Sequence, residues 1–208
     1  MTEGGPLCQR IGPIVQGSSL LGILAAAPAR RIWFAGVAVG VVRWLEMLAF
    51  ALWGLALTGS PLVVATLALA RLLPLLLLAV PLSALLEGRD RRRIMLVATG
   101  AMLATSALML LGALADRPSL PVLLAAAFAN GVFWTIEQPV RRTLFIETVG
   151  LERAGPAMGL ETLSNQGTRL LGAIAGGGAV QFLGPPGVFA GTLLLYMVAL
   201  FGLLRARP

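Results

Sequence analysis

Long apolar stretches alternate with short polar breaks along most of the chain. After an N-terminal segment, residues 1–29, six largely apolar runs follow at 32–57, 62–86, 94–115, 120–139, 157–183 and 187–204. A membrane-spanning helix needs about 20 such residues, because the hydrocarbon core of a bilayer is about 30 Å thick. The pattern therefore predicts a six-helix transmembrane domain over residues 30–208.

The breaks between the runs carry residues that favour turns. Gly and Pro occur at 58–61 and at 184–186, and Pro with Ser occurs at 116–119. A short arginine-dense loop, residues 87–93, joins the second and third runs. Such short connections end one span and begin the next, so successive spans cross the membrane in opposite directions.

Composition fits a membrane protein and excludes several other classes. The chain is 58% hydrophobic and only 12% charged, whereas soluble domains carry about 25% charged residues. It has no histidine and one cysteine, Cys8, so we expect no His-based metal site, no internal disulfide and no cofactor. With no nucleophile–base pair or phosphate loop either, we expect no enzyme. The fold class is predicted to be all-α, polytopic and transmembrane.

The distribution of arginine predicts one orientation in the membrane. Twelve arginines fall on the side of the termini and one, Arg117, on the other. Because cytoplasmic loops are enriched in Lys and Arg, both termini are predicted to be cytoplasmic. Arginines at span ends favour anionic lipid headgroups as partners over nucleic acid. The twelve are Arg10, Arg30, Arg31, Arg89, Arg91, Arg92, Arg93, Arg141, Arg142, Arg153, Arg205 and Arg207.

The segment of residues 1–29 has two interpretations. Residues 11–27 are moderately apolar and end in Ala25-Ala26-Ala27, which would suit a cleaved signal peptide. The interpretation that we favour is a cytoplasmic tail, because Gly, Pro, Gln and Ser interrupt the apolar stretch.

Three stretches resemble signatures of one transporter superfamily. Residues 57–62 resemble the outer turn between its first two helices, residues 83–93 its basic cytoplasmic loop, and residues 137–141 the end of its fourth helix. In the loop, Ser83, Glu87 and Gly88 stand where the signature has Gly, Asp and Arg. In order and placement these stretches are similar to the N-terminal six-helix half of a major facilitator superfamily transporter, above all its bacterial multidrug and siderophore-exporter branch.

The predicted fifth span resembles the antiporter signature of the same superfamily, with Thr168 in place of a Gly and Ala173 in place of a Pro. The matching glycines are Gly159, Gly172, Gly176 and Gly177. Gly172 and Gly176 also form a small-xxx-small face, which lets two helices approach closely. The resemblance implies half of a major facilitator fold and proton-coupled export across a bacterial inner membrane.

Polar side chains inside the predicted spans are costly unless they have a partner or a wet cavity. Arg43 and Glu46 lie three residues apart and therefore share one helical face. One interpretation is a salt-bridge cluster of Glu46 with Arg43, Arg71 or Arg169 that only ties helices together. The other follows from the resemblance, in which the first and fourth helices line the central cavity. It makes these residues candidates for substrate or proton contact: Glu46, Arg43, Glu137, Gln138 and Arg169.

Other groups in and beside the spans also have alternative roles. Glu46 is our choice for the proton-coupling carboxylate. Asn130 and Asn165 suit cross-helix hydrogen bonds, while Trp44 and Trp134 suit either a cavity for aromatic substrates or packing. A gate would need Glu87 or Asp90 to pair with a partner such as Arg141 or Arg142; otherwise the loop residues only fix the orientation. The gating-loop candidates are Glu87, Asp90, Arg91, Arg92 and Arg93.

The leading functional hypothesis is a transporter of a small organic or drug-like solute. Such transporters hold substrate between two six-helix halves, and this sequence carries one. We therefore expect a separately encoded second half or a homodimer. The alternative is a membrane scaffold, or a remnant of a transporter, that moves nothing.

Overall fold

The computed structural model describes residues 20–115 and 119–205, and its elements are helical. They are α1 (Leu20–Ala25), α2 (Ala27–Thr58), α3 (Pro61–Leu86), α4 (Arg91–Leu114), α5 (Leu120–Val149), a 3₁₀ turn (Leu151–Arg153) and α6 (Ala154–Arg205). Five of these helices are long and apolar enough to cross a membrane. The chain is therefore an all-α polytopic membrane protein, as predicted.

Some sequence predictions lie outside the described residues. These are the tail over residues 1–19 with Cys8, the turn residues 116–118 with Arg117, and Arg207. Within the remainder of the predicted tail, the structure has α1 and the first turn of α2. Ile23 and Ala29 are buried there, so this part of the chain packs against the helical bundle.

Local chemistry explains where several helices begin and end. Gly59 ends α2 in the left-handed conformation with a φ of 64°, and its N–H donates to the carbonyl of Leu55. Such a cap is typical of glycine, which has no side chain to clash at positive φ. Asp90 begins α4, since its carboxylate accepts hydrogen bonds from the backbone N–H groups of Arg92 and Arg93.

The helix α6 comprises two spans. Its 52 residues would extend about 78 Å if straight, far more than one bilayer crossing. The break is at Gly184, whose φ is 64° and ψ is −177°, and two prolines follow it. We call residues 154–183 the first arm and residues 185–205 the second arm.

The two arms run in opposite directions along α2. Gly172 and Gly176 in the first arm face Trp44 and Leu48 in turn, so that arm is parallel to α2. In the second arm, Tyr196 bonds to Glu46 and the carbonyl of Arg205 accepts from Arg31, so that arm is antiparallel. The reversal at Gly184 thus brings the number of membrane-length helices to six among the described residues.

Small residues allow the helices around α2 to pack closely. A Cβ on Gly172 would lie 2.6 Å from the Cβ of Trp44, and one on Gly176 would lie 2.7 Å from Leu48. In α5, a Cβ on Gly131 would collide with the backbone carbonyl of Arg71 in α3. These contacts follow the rule that helices in lipid associate through small residues.

Two apolar cores fill the bundle, one above the other. Val42 and Tyr196 belong to the first core, while Leu45 and Phe189 belong to the second. Glu46 therefore lies where the two cores meet. The end of the bundle nearer the first core carries residues 87–90, and there Arg92 donates to the carbonyl of Leu204. We call this end of the bundle the loop end.

Candidate functional site

A buried carboxylate, Glu46, connects most of the helices. Its side chain is 1% exposed and accepts hydrogen bonds from the hydroxyl of Ser106 in α4, the amide of Asn130 in α5 at 2.6 Å and the hydroxyl of Tyr196 in the second arm at 3.2 Å. The guanidinium of Arg71 in α3 lies 3.8 Å away. One side chain of α2 thereby contacts α3, α4, α5 and the second arm; we call this set the Glu46 network.

The ion pair in the Glu46 network is incompletely hydrogen-bonded. Both terminal nitrogens of Arg71 are buried and have no hydrogen-bond partner among the described residues, and neither has the amide oxygen of Asn130. Glu46 thus accepts three hydrogen bonds, whereas Arg71 has Glu46 as its ion-pair partner among the described residues. Because an unpaired charge is costly in a protein interior, the two residues depend on each other.

A second polar cluster, nearer the loop end, is centred on Arg141. Its guanidinium donates to Glu137 at 2.6 Å and to Glu161 at 2.9 Å. Arg142 also donates to Glu161, at 3.3 Å. Glu137 and Glu161 are 1% and 4% exposed, so these buried charges are paired. The pairs join α5 to the first arm of α6, and we call them the Arg141 cluster.

Arg43 lies beside the Arg141 cluster and forms no ion pair within the part of the chain that the structure describes. It donates to the side-chain oxygen of Asn165, and its guanidinium lies 5.0 Å from the ring centre of Trp134 and 5.5 Å from that of Trp44. The guanidinium of Arg169 lies 5.2 Å from the same Trp44 ring. Cation–π contacts of this kind are each worth about 0.5–2 kcal/mol. We call these five residues the arginine–tryptophan face.

A small cavity separates the Arg141 cluster from the arginine–tryptophan face. Its volume is about 20 Å³ and its lining includes Arg43, Trp134, Glu137, Arg141 and Asn165. That is room for about one water molecule. An ion or a solute could therefore pass between the two groups only with a change of helix packing.

A larger crevice opens at the loop end between α3, α4 and α5. Its volume is about 520 Å³, and Glu87, Arg91, Gln138 and Arg142 line it together with apolar side chains. Gln138 therefore lies in a different space from Glu137, its neighbour in sequence. The sequence predicts that both residues line one central cavity. The structure separates them, because successive side chains of an α-helix point about 100° apart.

The loop residues make mostly local or helix-tying contacts. Asp90 pairs with Arg93 at 3.3 Å, Arg91 pairs with Glu147 of α5, and Arg92 donates to the carbonyl of Leu204. Within the described residues, no ion pair joins Glu87 or Asp90 to Arg141 or Arg142. In this conformation Arg141 and Arg142 pair with glutamates inside the bundle instead.

Some of the other predicted residues contact a neighbouring helix, and others face open space. Glu46 pairs with Arg71 and with neither Arg43 nor Arg169 among the described residues. Of the signature glycines, Gly172 and Gly176 pack against α2, whereas a Cβ on Gly159 or Gly177 would have nothing within 4 Å in the described part of the chain.

Sequence reasoning missed Glu161, Ser106 and Tyr196. Glu161 could have been found, because a carboxylate inside an apolar span is a functional candidate by default. Ser106 and Tyr196 gave no such signal, since a hydroxyl in a span is common and its partner is known only from the packing. In residues 20–115 and 119–205, no three His, Cys, Asp or Glu side chains lie together as a metal site would require.

A bundle of six membrane-length helices with buried ion pairs and a polar face is the architecture of a membrane transporter half. A family model described as transmembrane secretion effector, a family of the major facilitator superfamily, matches residues 18–208. The chain belongs to this family of transporters. No curated protein and no solved structure matches it.

Proposed function

We propose that this six-helix bundle exports a small organic solute in exchange for protons, together with a second six-helix unit. Three sources would provide the second unit: another chain, a second copy, or further sequence of the same protein. We place the bundle in a bacterial inner membrane with the loop end in the cytoplasm, since the arginines concentrate on that side.

The observation that carries the proposal is the arginine–tryptophan face. Arg169 is exposed and Arg43 half-exposed in the bundle, although both lie in helices that are apolar enough to cross a membrane. A guanidinium facing lipid tails costs at least about 2.5–3.5 kcal/mol. This face is therefore better suited to a water-filled cavity bounded by a second unit than to lipid.

The buried carboxylates support proton coupling. Glu46 contacts residues of four other helical segments, so a change in their packing would change the number of hydrogen bonds it accepts. Glu137 and Glu161 both pair with Arg141, so a change in helix packing would alter those contacts as well. Protonation of any of these groups would release a guanidinium from its partner. We propose Glu46 as the coupling group because its network contacts the larger number of helices.

Cysteine accessibility tests the water-filled face. In a background with Cys8→Ser, we expect Gln166→Cys, exposed one turn before Arg169, to react with a charged thiol reagent in intact membranes. Leu108→Cys is the control, because Leu108 is 64% exposed on an apolar stretch of α4 and should face lipid. Equal protection of both positions would contradict a wet cavity.

Transport in proteoliposomes tests the activity itself. With an imposed proton gradient, vesicles containing the protein should move neutral, cationic or anionic aromatic solutes, and a protonophore should stop the movement. Glu46→Gln combined with Arg71→Met, which leaves no buried charge unpaired, should abolish the dependence on the gradient. Mass measurement in mild detergent, on protein isolated together with its bound partners, should show two six-helix units; a lone six-helix monomer in that preparation, transporting nothing, would refute the proposal.

A further inference from the structure

The arginine–tryptophan face has more positive charge than its surroundings neutralise. Together with the Arg141 cluster it contains four guanidiniums, those of Arg43, Arg141, Arg142 and Arg169, against the carboxylates of Glu137 and Glu161. Both carboxylates are taken up by Arg141 and Arg142. Among the described residues, Arg43 and Arg169 form no ion pair, although Glu137 also attracts Arg43 electrostatically; four guanidiniums thus face two carboxylates, an excess of two positive charges.

Both of these arginines lie beside aromatic rings. Both guanidiniums lie over Trp44, at 5.5 Å and 5.2 Å from its ring centre, and Arg43 also lies over Trp134. The Nε atom of Arg43 is buried and has no hydrogen-bond partner in the described part of the chain. Two guanidiniums that contact the same indole, and that form no ion pair among the described residues, are suited to receive an anion.

We propose that the arginine–tryptophan face binds the anionic group of an aromatic solute, such as a carboxylate or sulfonate attached to a ring. The anion would contact Arg43 and Arg169, and the ring would pack against Trp44 or Trp134. This inference rests on the proposed transport function and names its substrate class. A lipid headgroup could supply the same anion, although it would bring no aromatic ring to the indoles.

The site gives a reason for preferring anions over the neutral or cationic solutes. A cation at this face would be repelled by the two guanidiniums that form no ion pair among the described residues. A neutral ring could pack on the indoles but would leave both guanidiniums unpaired. An aromatic anion both neutralises the charge and covers the rings.

Binding of 2-naphthoate and of its neutral analogue 2-naphthamide tests the proposal. The purified protein would be placed in phosphatidylcholine nanodiscs and binding measured by equilibrium dialysis. We expect naphthoate to bind at least tenfold more tightly than naphthamide. Arg43→Gln and Arg169→Gln should each weaken naphthoate binding about tenfold and leave naphthamide unchanged. Arg153→Gln, which changes an exposed arginine outside the site, should alter neither.

Further variants and lipid compositions distinguish a loss of ligand binding from misfolding and from lipid binding. Arg169 is exposed, so Arg169→Gln should fold normally even if Arg43→Gln does not, and Arg43→Lys should retain part of the preference for the anion. Equal binding of the two ligands, or normal naphthoate binding by Arg169→Gln, would overturn the proposal. A tenfold loss of naphthoate binding in nanodiscs containing phosphatidylglycerol would identify a lipid site and also overturn it.

The binding assay and the transport assay fail independently. Arginine-dependent naphthoate binding without movement across vesicles would leave the binding site intact and remove the transport function. Proton-driven movement of neutral or cationic aromatics, without a preference for naphthoate, would retain the transport function and remove the anion site.

Discussion

The Glu46–Arg71 pair allows the sharpest test of how the bundle is held together. Replacing Glu46 by Gln keeps the size of the side chain and its ability to accept from Asn130 and Tyr196. It removes the one charge that faces the buried guanidinium of Arg71. We therefore expect Glu46→Gln to destabilise the fold through Arg71, rather than through lost hydrogen bonds.

The size of the effect follows from the geometry. Two unit charges 3.8 Å apart attract by about 4 kcal/mol at an effective dielectric constant of about 20. Breaking a buried pair by removing one partner costs about 3–5 kcal/mol, because the other charge stays buried. The hydrogen bonds count for less, at about 0.6 kcal/mol each in a membrane interior. Glu46→Gln should thus lower the free energy of unfolding by about 3–5 kcal/mol.

Removing both charges should restore most of the loss. The double variant Glu46→Gln with Arg71→Met replaces the guanidinium by an apolar chain, so no charge remains unpaired. Unfolding by SDS in mixed micelles, followed by circular dichroism, would give the free energy for each variant. Arg93→Gln is the control, because its pair with Asp90 is exposed and such pairs contribute less than about 1 kcal/mol.

Two results would refute this reasoning. The first is a Glu46→Gln variant within about 1 kcal/mol of the parent protein, since that value is below the cost of an unpaired buried charge. The second is a double variant no more stable than Glu46→Gln alone. Either would mean that Arg71 finds another partner, such as water, when Glu46 is neutral.

Three further predictions concern stability in the same SDS assay. Gly131→Ala should cost about 1–3 kcal/mol, because the new methyl group would push α5 away from the α3 backbone, whereas Gly177→Ala has open space and should cost nothing; equal effects would contradict the packing. Asp90→Ala should cost about 1 kcal/mol by removing the cap of α4, and Asp90→Ser should restore it; an equally unstable Ser variant would exclude the cap as the cause. Glu161→Gln should destabilise less than Glu46→Gln, since Arg141 keeps Glu137 as a partner; a larger loss would show that Glu161 is the main counter-charge.

The resemblance to a transporter half was visible in the sequence, and the family match confirms the superfamily. The pattern of long apolar runs also predicted the all-α membrane fold. Both depend on local features, namely run length and short motifs, which can be recognised without knowing which residues are in contact. The hypothesis of an exporter with proton coupling depends on particular side chains, and it stays a proposal.

The partners of the charged residues could not be read from spacing. Arg43 and Glu46 lie three residues apart on one helix, yet Glu46 pairs with Arg71 of α3 and Arg43 lies against two indoles. A helical face about 100° wide can meet several neighbours, and the choice depends on how far each neighbouring helix is rotated about its axis. That rotation is set by close contacts such as Gly131 against the Arg71 backbone.

By itself, the sequence determined that the chain crosses a membrane as a bundle of helices, because the apolar length and the polar breaks are local properties that lipid imposes on any chain. It also located the charges. Only the tertiary structure decided that Glu46 joins the helices, while Arg43 and Arg169 form no ion pair among the described residues. The physical reason is that a charge in a span acquires its role from the groups within a few ångströms, and those come from distant parts of the chain.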